Sequence, residues 1–321
     1  MSPAIDVVAD EYGLVSMAQT IPGGAPITVK IVKDSITDGG SRLVTWCWEY
    51  QRMIHAEIMT HRALSRNAAS SRAIPAAKLR QRVHDAPAMP VHWGKNEKGM
   101  QASTEIDDIA QARSWWLRGR DLMTGHHRIG EELGLHKQIV NRVIEPWMMI
   151  SVVVSMTDHA NLFHLRKHKD AEPNFQVVAS LGWELFHNHM PTYVRPGDWH
   201  LPYVDGEGDP EAFDLQRAKK ISTARCARVS YLTHEGKRDI AADIELHDRL
   251  ASTASLGADP MHASPFEHPA QAIGARSRYA NFEGWKQYRR EFPCEAGPDT
   301  SERCERCGCW DARHVEGCSN G

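Results

Sequence analysis

The spacing of the apolar residues changes along the chain, and this change limits the folds that it can adopt. Residues 27–36 alternate between apolar and polar side chains, which predicts a strand. An Asp-Gly-Gly step at 38–40 then breaks the pattern. From Ser41 to Leu64 the apolar residues recur at roughly helical intervals, which predicts a helix leading into a polar stretch at 60–72. The chain is therefore expected to be α+β, with helices packed on a small sheet.

The remaining patterns set the expected domain limits. Further helices are predicted near 104–133, 136–142, 158–168, 173–188 and 238–252, and a short buried strand at 152–154. Residues 1–26 lack clear periodicity and predict a loose lead-in, and residues 191–211 are rich in Pro, Gly and Asp and predict a linker. We expect one main domain over 27–293 and a Cys-rich tail over 294–321.

Composition excludes several classes of protein. The 321 residues are 41% hydrophobic, which is enough for a core, and the net charge of −3 gives no overall basic field to hold a nucleic acid polymer. No apolar run is long enough to span a membrane, and the N-terminus lacks the basic region of a secretory signal. Five of the seven cysteines lie between Cys294 and Cys318, which is not the distribution of a disulfide framework. A reducing cytoplasm is the expected location.

The polar stretch from Thr60 to Arg72 carries the first candidate site. His61 and Ser65 are four residues apart, so they would share a face of the predicted helix. The Ser70-Ser71-Arg72 step combines two hydroxyls with a guanidinium, which are parts of a phosphate site. A polar helix end with capping serines would give the same pattern.

Two further segments carry candidate residues. Arg166 ends an apolar helical pattern that begins near Asn161, and a buried arginine needs a ligand or a partner, for which Asp170 is the simplest candidate. In the segment 262–268, two histidines six residues apart flank a glutamate. This spacing fits neither a helical pair nor the usual zinc patterns, so a turn fixed by Pro265 is the alternative.

Together these segments resemble the flavin-dependent thymidylate synthases. That family has Arg-His-Arg, seven residues and then Ser, with Asn inside the gap and Arg two residues after the Ser. This sequence matches with His61, Arg62, Asn67, Ser70 and Arg72. Four further family segments are similar to residues 142–146, 161–166, 226–230 and 263–268. The last two precede the Arg-His-Arg segment in the family and follow it here, so the resemblance implies a circularly permuted order.

The resemblance also implies a reaction. The family transfers a one-carbon unit from methylenetetrahydrofolate to C5 of dUMP, giving dTMP, with FAD as cofactor, NADPH as reductant and a homotetramer that shares its active sites. Glu57, Thr60 and Ala68 stand where the family has Gln, Arg and Glu. Because of these departures, the alternatives are that the product is hydroxymethylated at C5 or that the substrate is a uracil nucleotide other than dUMP.

Each site residue follows from its position in the family segments. Arg166 is expected to contact the pyrimidine and to act in catalysis by stabilising negative charge. The residues expected to hold FAD are Thr60, His61, Arg62, Asn67, Asn161 and Ser264. Those expected to hold the nucleotide, with Arg166, are Glu57, Ser70, Ser71, Arg72 and Arg142. No catalytic metal is expected, and Cys47 is expected to be inert packing in the predicted helix.

The Cys-rich tail suggests an alternative class of protein. Cys304 and Cys307 followed by Gly308 resemble a zinc knuckle, with Cys309, His314 and Cys318 nearby. A zinc-bearing nucleic-acid-binding protein on an inactive scaffold is therefore the alternative, and a flexible terminus with reduced cysteines is the simpler explanation of the tail. The flavin-free thymidylate synthases use a Pro-Cys-His nucleophile, which Pro293-Cys294-Glu295 does not reproduce.

Overall fold

Helices and strands are both present along the chain in this computed structural model, which describes residues 5–9, 14–204, 214–229, 239–255, 262–274 and 278–292. The strands are β1 (Ile5–Ala9), β2 (Val15–Gln19), β3 (Ile27–Thr37), β4 (Arg42–Gln51), β5 (Ser65–Ala68), β6 (Met149–Met156), β7 (Thr192–Val194), β8 (Trp199–His200), β9 (Ala270–Ala272), β10 (Arg278–Tyr279), β11 (Phe282–Glu283) and β12 (Trp285–Gln287). The helices are α1 (His55–Met59), α2 (Ala76–Asp85), α3 (Ile109–Glu132), α4 (Lys137–Val140), α5 (His159–Arg166), α6 (Pro173–Asn188), α7 (Leu215–Arg228) and α8 (Ile240–Ser255). Short 3₁₀ segments cover Arg52–Ile54, Asn141–Trp147, Ser264–Glu267 and Tyr288–Glu291.

A seven-stranded sheet forms the centre, with the strand order β1-β2-β3-β4-β6-β5 and with β7 paired to the end of β3. The neighbours along this order are antiparallel, whereas β7 runs parallel to β3. A smaller sheet has the order β12-β9-β8, and β10 pairs with β11. The α+β architecture expected from the sequence is present, and β5 lies at one edge of the main sheet.

The prediction of a helix over 41–64 is wrong, because residues 42–51 form the central strand β4. Val44 and Trp46 pack with apolar side chains of α6 on one face of the sheet. Leu43 and Thr45, on the other face, are also fully buried. A strand buried on both faces loses its alternation, so its apolar residues can match helical intervals. Only the short α1 and the 3₁₀ turn before it are helical in this stretch.

A chain of buried polar side chains crosses the face of the sheet opposite α6. The hydroxyl of Thr45 lies 2.6 Å from that of Ser155 and 2.8 Å from Nε2 of His200. Ser35 and His268 extend the chain at its two ends, at 2.9 Å from His200 and Ser155 respectively. Burial lowers the pKa of His268 to about 3, so this histidine is neutral near neutral pH.

Most of the other predicted elements are confirmed. The strand predicted at 27–36 is β3, the strand at 152–154 lies within β6, and the helices predicted from 104 to 188 and near 238–252 correspond to α3, α4, α5, α6 and α8. Part of the expected lead-in is sheet instead, because β2 pairs with β3. The expected linker likewise contains β7 and β8, while residues 205–213 lie outside the described part of the chain. The Cys-rich tail lies outside it as well.

A buried ion pair closes the hairpin between β3 and β4. The guanidinium of Arg42 donates to both oxygens of Asp34, at 2.9 and 2.6 Å. Nδ1 of His189 lies 2.8 Å from the same carboxylate. Burial raises the pKa of Asp34, but the hydrogen bonds from Arg42 and His189 outweigh it, so the net pKa is lowered. This group therefore stabilises the fold at pH values where the carboxylate is ionised.

We expect Asp34→Asn to lower the free energy of unfolding by about 3 kcal/mol at pH 7, because it leaves the half-buried Arg42 without its anion. The folded pKa is lowered, so the contribution is complete above the ordinary value of about 3.9 and is lost as the pH falls through the folded pKa. Denaturant unfolding between pH 7 and pH 3 measures this difference. Asp107→Asn, which removes an exposed partner of Lys95, is the control and should change stability by less than about 1 kcal/mol. A wild-type advantage that stayed constant down to pH 3 would contradict the assignment.

Candidate functional site

Arg166, at the end of α5, is held by the segment that follows α1. Its NH2 group donates to Oγ1 of Thr60 at 2.9 Å, and its Nε donates to Nε2 of His61 at 2.5 Å. The guanidinium carbon also lies 4.9 Å from the centre of the Phe175 ring. Two neutral side chains and an aromatic face thus orient Arg166 and leave further N–H groups of its planar fork for a ligand.

His61 is an acceptor in this arrangement. Burial, together with the charges of Arg166 and Arg66, lowers its pKa to about 4. The neutral ring therefore accepts from Arg166 at Nε2, which places its own proton on Nδ1. Because neither His61 nor Thr60 carries a negative charge, these two contacts do not neutralise the charge of Arg166.

A half-buried carboxyl lies near this guanidinium. Burial, followed by the charge of Glu172, raises the pKa of Glu57, and Arg166 opposes the shift. Glu57 is therefore harder to ionise than a carboxyl in water, and its charge state is coupled to the charges of Glu172 and Arg166.

Two expectations about this region are wrong. His61 and Ser65 do not share a helix face, since α1 ends at Met59 and Ser65 begins β5. Arg166 bonds to Thr60 and His61, while Asp170 lies 3.6 Å from Nδ1 of His168. The proposed ion pair between Arg166 and Asp170 is therefore replaced by contacts with a segment more than a hundred residues away, as the separations of 105 and 106 residues show.

Asn67 joins β5 to the later part of the chain. Its Nδ2 donates to the carbonyl of Cys226 at 2.8 Å, and its Oδ1 accepts from the hydroxyl of Ser264 at 3.1 Å. Asn67 is only 3% exposed, so its amide is used inside the protein. Ser264, 197 residues away in the chain, is thereby fixed beside the segment that contains His61 and Arg62.

A buried asparagine shapes the Ser70-Ser71-Arg72 turn. Nδ2 of Asn141 donates to the carbonyls of Ser71 and Ile74 at 2.7 and 3.0 Å. Its Oδ1 lies 3.1 Å from Nε2 of His127, which is fully buried in α3. Asn141 thus ties the turn to the 3₁₀ segment that also carries Arg142.

Glu145 is the centre of a small cluster of donors in the same place. Its Oε1 accepts from the hydroxyl of Ser71 at 3.0 Å and from NH1 of Arg142 at 3.4 Å. Nε of Arg52 lies 3.1 Å from the same oxygen as an ion pair, without the geometry of a hydrogen bond. The structure therefore brings together Ser71 and Arg142, two of the predicted nucleotide-binding residues, through a carboxylate.

His55 lies near Arg52 and Arg66, whose charges act on its ring. Its ring lies 2.8 Å from the hydroxyl of Tyr50, and burial together with Arg52 and Arg66 lowers its pKa to about 4. Arg66 in turn donates to the carbonyls of Met59 and His61 at 3.0 and 3.2 Å. These contacts place Arg66 against the segment whose His61 also holds Arg166.

Of two cavities in the described part of the chain, the smaller one adjoins the predicted site residues and the larger one does not. One, of about 190 Å³, is lined by Arg52 and Ser71 among mainly apolar side chains and adjoins the donor cluster. The larger one, of about 440 Å³, lies at the start of α5 and is lined by Arg42, Phe163 and Phe186. None of the residues predicted from the sequence lines the larger cavity, so its size alone does not mark the site.

The other predicted residues are more open to solvent. Arg62, Arg72, Arg142 and Asn161 are exposed, and Ser70 is half-buried. Sequence reasoning missed Arg52 and Phe175, for which the sequence offers no signal. It also missed Glu145, although its spacing of three residues from Arg142 within a 3₁₀ segment favours contact.

His268 and Glu267 of the segment 262–268 make contacts within the protein. His268 is buried against Ser155, and Glu267 forms an ion pair with Arg289. The described ranges of the chain contain no group of three side chains placed to bind a metal ion. In those same ranges no helix is both long and apolar enough to cross a bilayer.

Two solved structures of other proteins are similar to part of this chain. No family model and no curated protein matches the chain. A UMP/dUMP methylase PolB from Streptomyces cacaoi bound with 5-Br dUMP is 17% identical, with a TM-score of 0.41 over 50% of this chain and 90% of that chain. The flavin dependent thymidylate synthase ThyX from Helicobacter pylori, complexed with FAD and dUMP, is 12% identical, with a TM-score of 0.32 over 44% of this chain and 67% of that chain. At such low scores and identities, function has to be argued from the residues of this chain.

We expect Asn141→Ala to lower the free energy of unfolding by about 3 kcal/mol, because it leaves buried polar groups of Ser71, Ile74 and His127 without their partner. Amide hydrogen exchange in residues 70–74 should accelerate more than in β4. Gln138→Ala, on the exposed side of α4, is the matched control and should leave both measurements unchanged. Unchanged exchange in the turn of the Asn141 variant would show that Asn141 does not shape it.

Proposed function

We propose that this protein transfers a one-carbon unit to C5 of a uracil nucleotide in a flavin-dependent reaction. The specific form of the proposal is the conversion of dUMP to dTMP by a homotetramer, with methylenetetrahydrofolate as donor and NADPH as reductant. The segments would then stand in permuted order relative to the family that the sequence resembles.

The observation that carries the proposal is the meeting of segments that are distant in sequence. Arg166 contacts Thr60 and His61, and Ser264 contacts Asn67. These residues belong to three of the segments on which the resemblance rests. A chance resemblance of separate short segments gives no reason for them to bond to one another.

Arg166 has the chemistry that the reaction needs. As C5 of the pyrimidine becomes nucleophilic, negative charge grows on N3 and the neighbouring oxygens. A guanidinium fixed by Thr60 and His61 can donate to that charge without reorganising. Its own positive charge is available to the pyrimidine because both fixing groups are neutral. In this proposal Arg166 is the catalytic residue.

The nucleotide would extend from Arg166 towards the donor cluster. Ser71 and Arg142 offer a hydroxyl and a guanidinium, and the exposed Arg72 adds a second guanidinium. Such groups bind phosphate through charge-assisted hydrogen bonds. Ser70 would add a hydroxyl in the same turn, and Glu57 would face the nucleotide near Arg166.

The residues expected to hold FAD fit it in part. Arg62 and Asn161 are exposed and offer a guanidinium and an amide, which suit a diphosphate. Thr60 is exposed as well, but its hydroxyl donates to the carbonyl of Glu57 at 2.6 Å and accepts from Arg166, so it would position Arg166 beside the flavin. Asn67 and Ser264 already bond to each other, so they would shape the site and position the His61 segment instead. Bound reduced FAD would supply the hydride that completes the methyl group.

A different outcome at C5 remains the second candidate. Glu57, Thr60 and Ala68 stand where the resembled family has Gln, Arg and Glu, and the first two lie near Arg166. These substitutions support an alternative in which the transferred carbon is completed differently, such as hydroxymethylation, or in which another uracil nucleotide is the substrate. Mass spectrometry of the products from dUMP, methylenetetrahydrofolate and NADPH distinguishes a methyl from a hydroxymethyl group, and the absence of both products would refute the proposal.

We expect purified wild-type protein to be yellow and Arg62→Ala to purify largely colourless, because the variant loses a cation for the FAD phosphates. The flavin absorbance per protein measures this. Arg128→Ala removes an equally exposed arginine, on α3, and should keep the full flavin content. If wild-type protein bound no flavin when FAD was supplied, the proposed function would fail.

We expect Arg166→Lys to fold and to retain flavin but to lose about 10²–10³ in turnover, because lysine keeps the charge without the planar fork. Nucleotide affinity should weaken as well, since the contact exists before the reaction. Asp170→Ala is the control, since Asp170 lies beside His168 and should be dispensable for turnover. Turnover, nucleotide affinity and melting temperature are measured for both variants, and near-normal turnover of Arg166→Lys would remove Arg166 from catalysis.

A further inference from the structure

Glu145 occupies the donors that the proposed function assigns to the nucleotide phosphate. One of its carboxylate oxygens lies 3.0 Å from the hydroxyl of Ser71, 3.4 Å from NH1 of Arg142 and 3.1 Å from Nε of Arg52. These three groups come from different segments and converge on a single oxygen. A phosphate oxygen held by Ser71 and Arg142 would need the same place.

The charges make joint occupation unfavourable. A phosphate monoester carries roughly −1.5 to −2 charges near pH 7, and a carboxylate a few ångströms away repels it. Ser71 has one hydroxyl proton, so it cannot donate to both anions at once. Arg142 has further N–H groups, but the present contact holds one of them on Glu145.

The side chain of Glu145 can turn into solvent when a phosphate binds. It is 23% exposed, and that of Arg142 is 55% exposed, so both border solvent. A carboxylate that turns into water recovers its hydration, whereas Ser71 and Arg52 remain with the incoming phosphate. The exchange of one anion for another therefore leaves no buried cation without a partner.

We propose that Glu145 is a specificity-determining residue that competes with the phosphate of the substrate for Ser71, Arg52 and Arg142. In the unliganded protein its carboxylate keeps these donors in place, and on binding it yields them to the phosphate. This inference rests on the proposed function for the assignment of Ser71 and Arg142. It adds that the affinity for a nucleotide, relative to its nucleoside, is set by Glu145.

The test compares wild type, Glu145→Gln and Glu132→Gln in calorimetric binding of dUMP, deoxyuridine and inorganic phosphate. Glutamine keeps the shape and an acceptor for Ser71 but removes the charge. We expect Glu145→Gln to bind dUMP and inorganic phosphate about tenfold more tightly, which corresponds to the loss of one modest repulsion. Deoxyuridine should bind as to wild type. Glu132→Gln, an exposed glutamate paired with Arg128, should match wild type throughout.

Three results bear on the inference separately from the proposed function. Unchanged or weaker binding of dUMP and phosphate by Glu145→Gln would overturn it, since Glu145 would then only support the donors. Tighter binding of deoxyuridine to the same extent would also overturn it. If no protein bound dUMP but the variant bound phosphate more tightly, the proposed function would fail with the nucleotide part of the inference, and only the competition of Glu145 with a phosphate for these donors would stand. Melting curves confirm folding, and Glu145→Ser replaces the glutamine variant if that variant does not melt cooperatively.

Discussion

The burial of β4 on both faces is the constraint on which the rest of the structure depends. A strand in the middle of a sheet has both backbone edges paired, so its two faces decide what can pack around it. One face of β4 carries Val44 and Trp46 into the core with α6. The other carries Thr45, whose hydroxyl is satisfied by Ser155 and His200. Since β6 pairs with β4 on one side and with β5 on the other, the position of β5 at the sheet edge follows.

The two ends of the candidate site balance their charges in opposite ways. Arg166 is oriented by neutral groups, so its charge is left for a ligand. Arg52 and Arg142 instead meet the carboxylate of Glu145. The first arrangement suits a charge that appears only during a reaction, because an anion already in place would cancel the field. The second suits an anion that arrives with the substrate and replaces another.

Much of the fold was predictable from the sequence where one physical signal dominates. The helix at 173–188 has a broad apolar face, and β3 alternates between buried and half-buried residues over much of its length, so the spacing identified both. The centre of the sheet was not predictable in this way, since two buried faces in β4 erase the period. Local sequence patterns could not predict which residues of the site are in contact with one another. Asp170 is near Arg166 in sequence, yet the contacts of Arg166 are made with Thr60 and His61.

The side chains of the edge strand β5 also bear on the order in which this chain can fold. Ser65 accepts from Asn281 and Gln287, and Asn67 bonds to the carbonyl of Cys226 and to Ser264, all at separations of 159 residues or more. During synthesis, β5 and β6 are complete long before these partners leave the ribosome. Until then an edge strand with unsatisfied polar groups is open to pairing with another chain. The segments that carry Cys226, Ser264, Asn281 and Gln287 thus satisfy the polar groups of this edge strand. We expect the nascent protein to become less prone to aggregation once these segments have been synthesised and have packed against β5.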